Sequence, residues 1–234
     1  LRPFPDDLAR GLSANLYFSR LAGHGQEGSS LGRATLAEWH KDSLETLNIG
    51  RTLGKRVVVI ACSTGVPLVL RALAEKPEAI AACIFISPNF GLAHRGSNLM
   101  LQLPWVRHWG PLIMGRTREY EPRSEGHKKY WTTRYDVQAI YTMMEAVSAA
   151  AKLDLATFLV PLATLFCPED QVVSPEKIRM ALQRWGGPRE ILEMDKGRDP
   201  SGHLLLGTVM NPEQTDVATD FALDFCRRYL GNHL

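Results

Sequence analysis

The strongest constraint on how this chain folds is a junction near its first quarter. The run Val57-Val58-Val59-Ile60 leads into Ala61-Cys62-Ser63-Thr64-Gly65, and an apolar stretch over 66–74 follows. Consecutive β-branched residues read as a strand covered on both faces, and the stretch after them reads as a helix. A serine between small residues, where a buried strand turns sharply into a helix, sits in a strained turn. That turn lifts Oγ above the sheet edge and aims the next backbone N–H at the same space. Bulky neighbours would clash there, so the small residues belong to the pattern. As a bare string the motif is weak; between this strand and this helix it is specific.

Two further segments continue the theme in chain order. Pro161-Leu162-Ala163-Thr164-Leu165-Phe166-Cys167 is a second buried strand, and Pro168-Glu169-Asp170-Gln171-Val172-Val173 follows it. Ser174-Pro175-Glu176 then has the form of a helix start: an N-cap, proline in the first turn, and an acid beside it. Asp170 therefore falls just past a strand end, where open α/β sheets gather functional groups. A strand over 189–194 leads to Asp195-Lys196-Gly197-Arg198-Asp199-Pro200-Ser201-Gly202-His203, and a helix over 212–229 follows. The order is serine, then aspartate, then histidine, each on a loop after a strand.

On these residues the chain resembles the α/β-hydrolase fold enzymes, especially bacterial carboxylesterases and lipase-like members with a compact lid. The resemblance runs through Arg20-Leu21-Ala22-Gly23-His24-Gly25, the segment 61–65, the segment 168–173 and Gly202-His203. It implies a mainly parallel, doubly wound sheet in one domain over 1–234, with a lid inserted at 88–134. By the same resemblance Ser63 is the nucleophile, Asp170 the orienting acid, His203 the general base, and the Thr64 backbone N–H an oxyanion donor. The implied substrate is a small-molecule carboxylic ester of small or medium acyl chain, and no cofactor is required. A monoacylglycerol lipase, a thioesterase or a carbon–carbon hydrolase would use the same three side chains. A non-catalytic binding protein on the same fold is the alternative of a different class.

Two departures stand out. Ala61 replaces the usual glycine, a change small enough to tolerate. Related enzymes also begin with two or more strands and a His-Gly loop that supplies a second oxyanion N–H. Here only a helix over 5–12 precedes a strand over 15–20, so those strands are expected to lie outside this chain. His24-Gly25 competes for the oxyanion role, although it sits where the family has a later loop, and His24 fits the pocket wall better. Losing one oxyanion donor costs about 3 kcal/mol of transition-state stabilisation.

Composition narrows the rest. Hydrophobic residues make up 45% and charged residues 22%, with a net charge of +2. Nothing global favours nucleic acid, and neither a stacking module nor a groove-reading helix is visible. No apolar run reaches the ~18 residues a membrane span needs, and with no signal peptide visible the expected compartment is the cytoplasm. Cys62, Cys83, Cys167 and Cys226 read as small buried hydrophobes. No Cys or His spacing fits a zinc site, so no metal is expected.

Strands and helices alternate: a glycine- and serine-rich loop over 23–32, a helix over 36–47 or as far as 53, a strand over 80–87, and a helix over 137–152. Between 88 and 134 the pattern breaks into glycines, prolines and tryptophans. Leu103, Trp105 and Met114 in this stretch are the candidate substrate contacts, with packing of the lid onto the sheet as the plainer role. From 91 to 135 there are eight Lys or Arg against three Glu. Such a flap suits weak contact with an anionic interface, or else is only a solvated face. For His203 the competitors are His24, His40, His94, His108, His127 and His233; for Asp170 they are Asp195 and Asp199.

Overall fold

A computed structural model describes residues 1–122 and 124–231. Helix α1 (Phe4–Gly11) is followed by α2 (Gly28–Arg33) and α3 (Leu36–Leu53), then strand β1 (Val58–Cys62), helix α4 (Gly65–Glu75) and strand β2 (Ala82–Ile86). Next come α5 (Arg95–Met100), α6 (Val106–Met114), β3 (Thr117–Glu119), α7 (Glu125–Tyr130) and β4 (Arg134–Asp136). The chain finishes with α8 (Gln138–Ala150), β5 (Leu162–Phe166), α9 (Pro175–Arg184), β6 (Arg189–Glu193) and α10 (Pro212–Leu230).

The main sheet has the order β1-β2-β5-β6, and every pairing in it is parallel. Parallel neighbours require crossovers, and the helices between the strands supply them. The two-residue period of a strand then divides the core in two. Cys83 and Phe85 of β2 point to one side with Leu162 and Phe166 of β5, where α4 and α9 contribute Val66, Leu70, Ile178 and Leu182. Ala82, Ile84 and Ile86 point to the other with Ala163 and Leu165, against Phe4 and Leu8 of α1 and Phe225 of α10. Both central strands are buried throughout, which is why their sequences are apolar except for Thr164 of β5. The result is a parallel sheet with helices on both faces.

Local chemistry fixes the helix starts. Glu38 N–H donates to Thr35 Oγ1 and Thr35 N–H donates to the Glu38 carboxylate, a reciprocal cap on α3. Ser174 accepts from Lys177 N–H and Pro175 opens α9, so the turn carrying Asp170 ends on a defined residue.

Three expectations are corrected. Residues 15–20 form no strand of either sheet. The segment is held by side chains instead, with Asn15 donating to the Leu53 carbonyl and Ser19 paired with Thr46, and Phe18 stays half exposed. Within the expected loop over 23–32, α2 forms where Gly28 lets the backbone close on Arg134 and Tyr135; a Cβ there would lie 2.0 Å from the Arg134 carbonyl oxygen. Strand structure returns between 88 and 136 as well, because β3 and β4 pair antiparallel. Leu101 and Val106 from this stretch pack on Val137, Tyr141, Met144 and Val147. Among the described residues no helix is long and apolar enough to cross a membrane.

Candidate active site

Ser63 follows β1 directly and adopts φ +50°, a left-handed conformation that costs an ordinary side chain about 1–3 kcal/mol. The neighbouring strand end compensates. Ser63 N–H donates to the Ile86 carbonyl, and the Ser63 carbonyl accepts from Val66 N–H and Asn89 N–H. A Cβ built on Gly65 would lie 3.7 Å from that of Ala61, an ordinary contact, so alanine at 61 leaves the turn its room. Thr64, the next residue, stands at the N-terminus of α4, the positive end of the helix dipole.

Asp170 lies on the turn after β5 and is buried. Its Oδ1 accepts from Val172 N–H at 2.7 Å and Val173 N–H at 3.0 Å, which leaves Oδ2 for His203 Nδ1 at 2.8 Å. The other ring nitrogen of His203, Nε2, is 3.0 Å from Ser63 Oγ. An ionised carboxylate only accepts, so Nδ1 carries the proton and Nε2 presents its lone pair to the serine hydroxyl. The structure thus brings together Ser63, His203 and Asp170 from three separate loops. The loops are also tied to one another: Gln171 N–H donates to the Ser201 carbonyl, and Lys196 pairs with Glu169 at 2.7 Å. Gly202, at φ +67°, passes so close to Cys167 that a Cβ would meet its Sγ at 3.1 Å.

The rival side chains lie elsewhere. His24 is exposed, its ring 5.5 Å from that of Trp39 and its Nδ1 3.3 Å from the Ala22 carbonyl oxygen. His40 pairs with Glu75, His94 caps α5, His108 is exposed on α6, and His127 is buried between Tyr120 and Trp131. His233 falls outside the described residues. Asp195 is exposed, and Asp199 bonds the backbone of His203 and not its ring. Leu103 and Trp105 line a cavity of about 720 Å³ against the outer side of α8, whose lining includes none of Ser63, Asp170 and His203. Met114 packs with Trp109 on the cluster around Tyr141. Among the described residues no group of His, Cys, Asp and Glu has the geometry to hold a metal ion. Burial pushes the Cys62 thiol up to about 11 and raises the Cys83 thiol as well, so neither is a thiolate near neutrality.

Two residues of the site carry no sequence signal. Ser87, at φ +45°, donates its hydroxyl to the His203 carbonyl at 2.8 Å, and Asn89 holds the Ser63 carbonyl. Both read in sequence only as the end of a strand and the loop after it.

A family model described as "Alpha/beta hydrolase family" matches residues 2–215. No curated protein sequence matches the chain. Among solved structures, one from work on the metagenome-derived lipolytic enzymes LipS and LipT is similar at 18% identity, with TM-score 0.75 and coverage of 97% of this chain and 87% of that one. A soluble variant of monoglyceride lipase from Saccharomyces cerevisiae is similar at 12% identity, TM-score 0.68, covering 97% and 82%. The monoacylglycerol lipase of Paleococcus ferrophilus is similar at 16% identity, TM-score 0.58, covering 80% and 76%. At such identities the likeness concerns the fold.

Proposed function

The chain belongs to the alpha/beta hydrolase family, and from that premise we propose that it hydrolyses carboxylic esters of small or medium acyl chain through an acyl-enzyme on Ser63. The supporting observation is the unbroken contact from Ser63 Oγ through the His203 ring to the buried Asp170 carboxylate. In the first half-reaction Ser63 Oγ bonds to the ester carbonyl carbon while its proton passes to His203 Nε2. The carbonyl π pair moves to oxygen, and the Thr64 N–H at the head of α4 stabilises that charge. Asp170 keeps the imidazole in the productive tautomer and stabilises the imidazolium. Collapse re-forms the carbonyl and expels the alcohol oxygen, which takes the proton from His203. Water then repeats the sequence on the acyl-serine, releasing the acid and restoring Ser63. No step needs a cofactor.

A fluorophosphonate probe is expected to label Ser63, and Ser63→Ala to abolish both labelling and nitrophenyl-ester turnover. Labelling that survives in that variant removes the nucleophile assignment. A series of nitrophenyl esters from C2 to C16 tests the acyl range, and a rate maximum at C12 or longer contradicts it.

A narrower reading concerns where the substrate is met, with residues 88–134 acting as a lid that touches an anionic lipid surface. Helix α6 buries Val106 and Gly110 on one side, yet Trp105 is 76% and Leu112 85% exposed, with Ile113 and Leu99 also outward. Between residues 91 and 118 there are four arginines and no acid; Arg95 pairs with Glu176 and Arg107 with Glu145, which leaves Arg116 and Arg118 as the cations offered to a surface. An exposed apolar stripe with a tryptophan and surrounding cations is the composition of an interfacial helix, and each cation near an anionic leaflet contributes about 1 kcal/mol. This reading favours the monoacylglycerol-lipase alternative. Sedimentation with phosphatidylglycerol vesicles, compared with phosphatidylcholine, tests it: binding should require the anionic lipid and fall at least tenfold in Leu112→Ser/Ile113→Ser. Equal binding to both lipids, or no loss in the variant, rejects it.

A further inference from the structure

The catalytic reading leaves one fully buried carboxylate unused. Asp199 has no exposed surface, and burying a carboxylate is costly unless its oxygens are filled with hydrogen bonds. Four such bonds come from the loop that follows Asp199. Oδ2 accepts from Ser201 Oγ at 2.6 Å, from His203 N–H at 3.0 Å and from Leu204 N–H at 2.8 Å, and Oδ1 accepts from Ser201 N–H at 3.2 Å. The loop closed in this way is the one that delivers His203.

We infer that Asp199 is a positioning residue for His203, holding its backbone so that the imidazole reaches Ser63 and Asp170 at the same time. The inference rests on the ester-hydrolase reading above. Histidine 203 is gripped at three points. Its N–H is held by Asp199, its carbonyl by the Ser87 hydroxyl, and its ring Nδ1 by Asp170. The ring alone is a weak anchor, since the imidazole must exchange a proton with Ser63 and with the leaving group in every cycle. The backbone grips do not take part in that exchange and persist through it. The division of labour between the two aspartates also has a geometric basis. Asp170 approaches from the turn after β5 and meets the ring edge, whereas Asp199 lies four residues before His203 and curls back beneath its own backbone. A carboxylate suits the second task better than an amide: three donors converge on one oxygen and a fourth meets the other, and an asparagine would turn N–H groups toward one of those donor sets.

The test uses Asp199→Ala and Asp199→Asn beside Ser87→Ala, with kcat and KM measured on a soluble nitrophenyl ester and folding followed by thermal unfolding. A displacement on the scale of an ångström at a reacting group costs on the order of 10²-fold. Asp199→Ala is therefore expected to lose about 10- to 100-fold in kcat with KM changed less than about twofold, and Asp199→Asn, which keeps one acceptor oxygen, to fall between it and the parent. The proton NMR signal of His203 Nδ1–H, shifted far downfield by its bond to Asp170, should weaken or vanish in the alanine variant. A role in loop stability alone would lower the unfolding temperature and leave that signal and kcat in place. Unchanged kcat in a folded Asp199 variant overturns the proposal, as does a lost kcat with an intact downfield signal. If Asp199→Ala does not fold, Asp199→Asn carries the test, and parental kcat in that variant overturns the proposal. Ser63→Ala separates the two readings. Its inactivity beside fully active Asp199 variants ends the positioning role only, whereas an active Ser63→Ala ends the hydrolase reading itself.

Discussion

Strand β2 and helix α6 are both apolar, and they use that character in opposite ways. Every residue of β2 is buried between two helical layers. α6 buries two of its nine residues and turns Leu112 and Ile113 to the outside. The same residue types thus serve internal cohesion in one place and are left available to a partner in the other. The three side chains of the candidate site hang on the first kind of structure, on the turns after β1 and β5 and on the loop after β6, where the paired strands hold the backbone. The stretch between β2 and α8 is attached to α8 by a small cluster of its own. Such a division would let the outer layer vary in sequence without disturbing the proton transfer proposed for the sheet edge.

The largest expected effect lies at the rigid end of this contrast. His203→Ala is expected to reduce ester turnover by about 10³-fold or more, the usual consequence of removing a member that acts as a unit with its partners. A variant with near-normal kcat would mean that a base outside the sheet edge does the work. An intermediate effect separates the regions by stability. Phe85→Ala removes a buried ring that meets Trp185 edge-on and should destabilise the protein by about 3–5 kcal/mol in urea unfolding. Leu112→Ser on α6 should change stability by no more than about 0.5 kcal/mol. Comparable losses from the two would erase the contrast. The smallest effect concerns Cys62, which adjoins Ser63. Burial holds its thiol near 11, so at pH 8 it stays protonated, and iodoacetamide treatment at that pH should leave turnover unchanged. Rapid inactivation that tracks alkylation of Cys62 would show an exposed, reactive thiol.

Legibility in the sequence followed the same contrast. Strands β2 and β5 announce themselves because burial on both faces leaves Thr164 as their one polar position, whereas β1, an edge strand only partly buried, is legible through its β-branched residues. The turns after β1 and β5 were legible for a related reason, since small residues and helix caps mark where a buried strand must stop. Residues 15–20 hold an apolar run, Leu16-Tyr17-Phe18, that suggests a strand, but a strand is defined by its neighbour, and pairing partners are not written locally. β3 and β4 escaped detection for the converse reason: all of β3 is exposed, so no hydrophobic period betrays it. The sequence also offered three acids for His203, and only the three-dimensional path of the loop separates them. Asp170 meets the ring and Asp199 the backbone.

The contact beneath α2 has a consequence for the whole upper half of the molecule. Gly28 rests on the backbone of Arg134 and Tyr135 with space for hydrogen alone, and Gly32 sits equally tight on the Asp136 side chain. Two hydrogens on one short helix therefore act as spacers between the segment after α1 and the return arm of the insert. A single methyl group at position 28 would wedge these two stretches of chain apart, more than a hundred residues from where it was introduced.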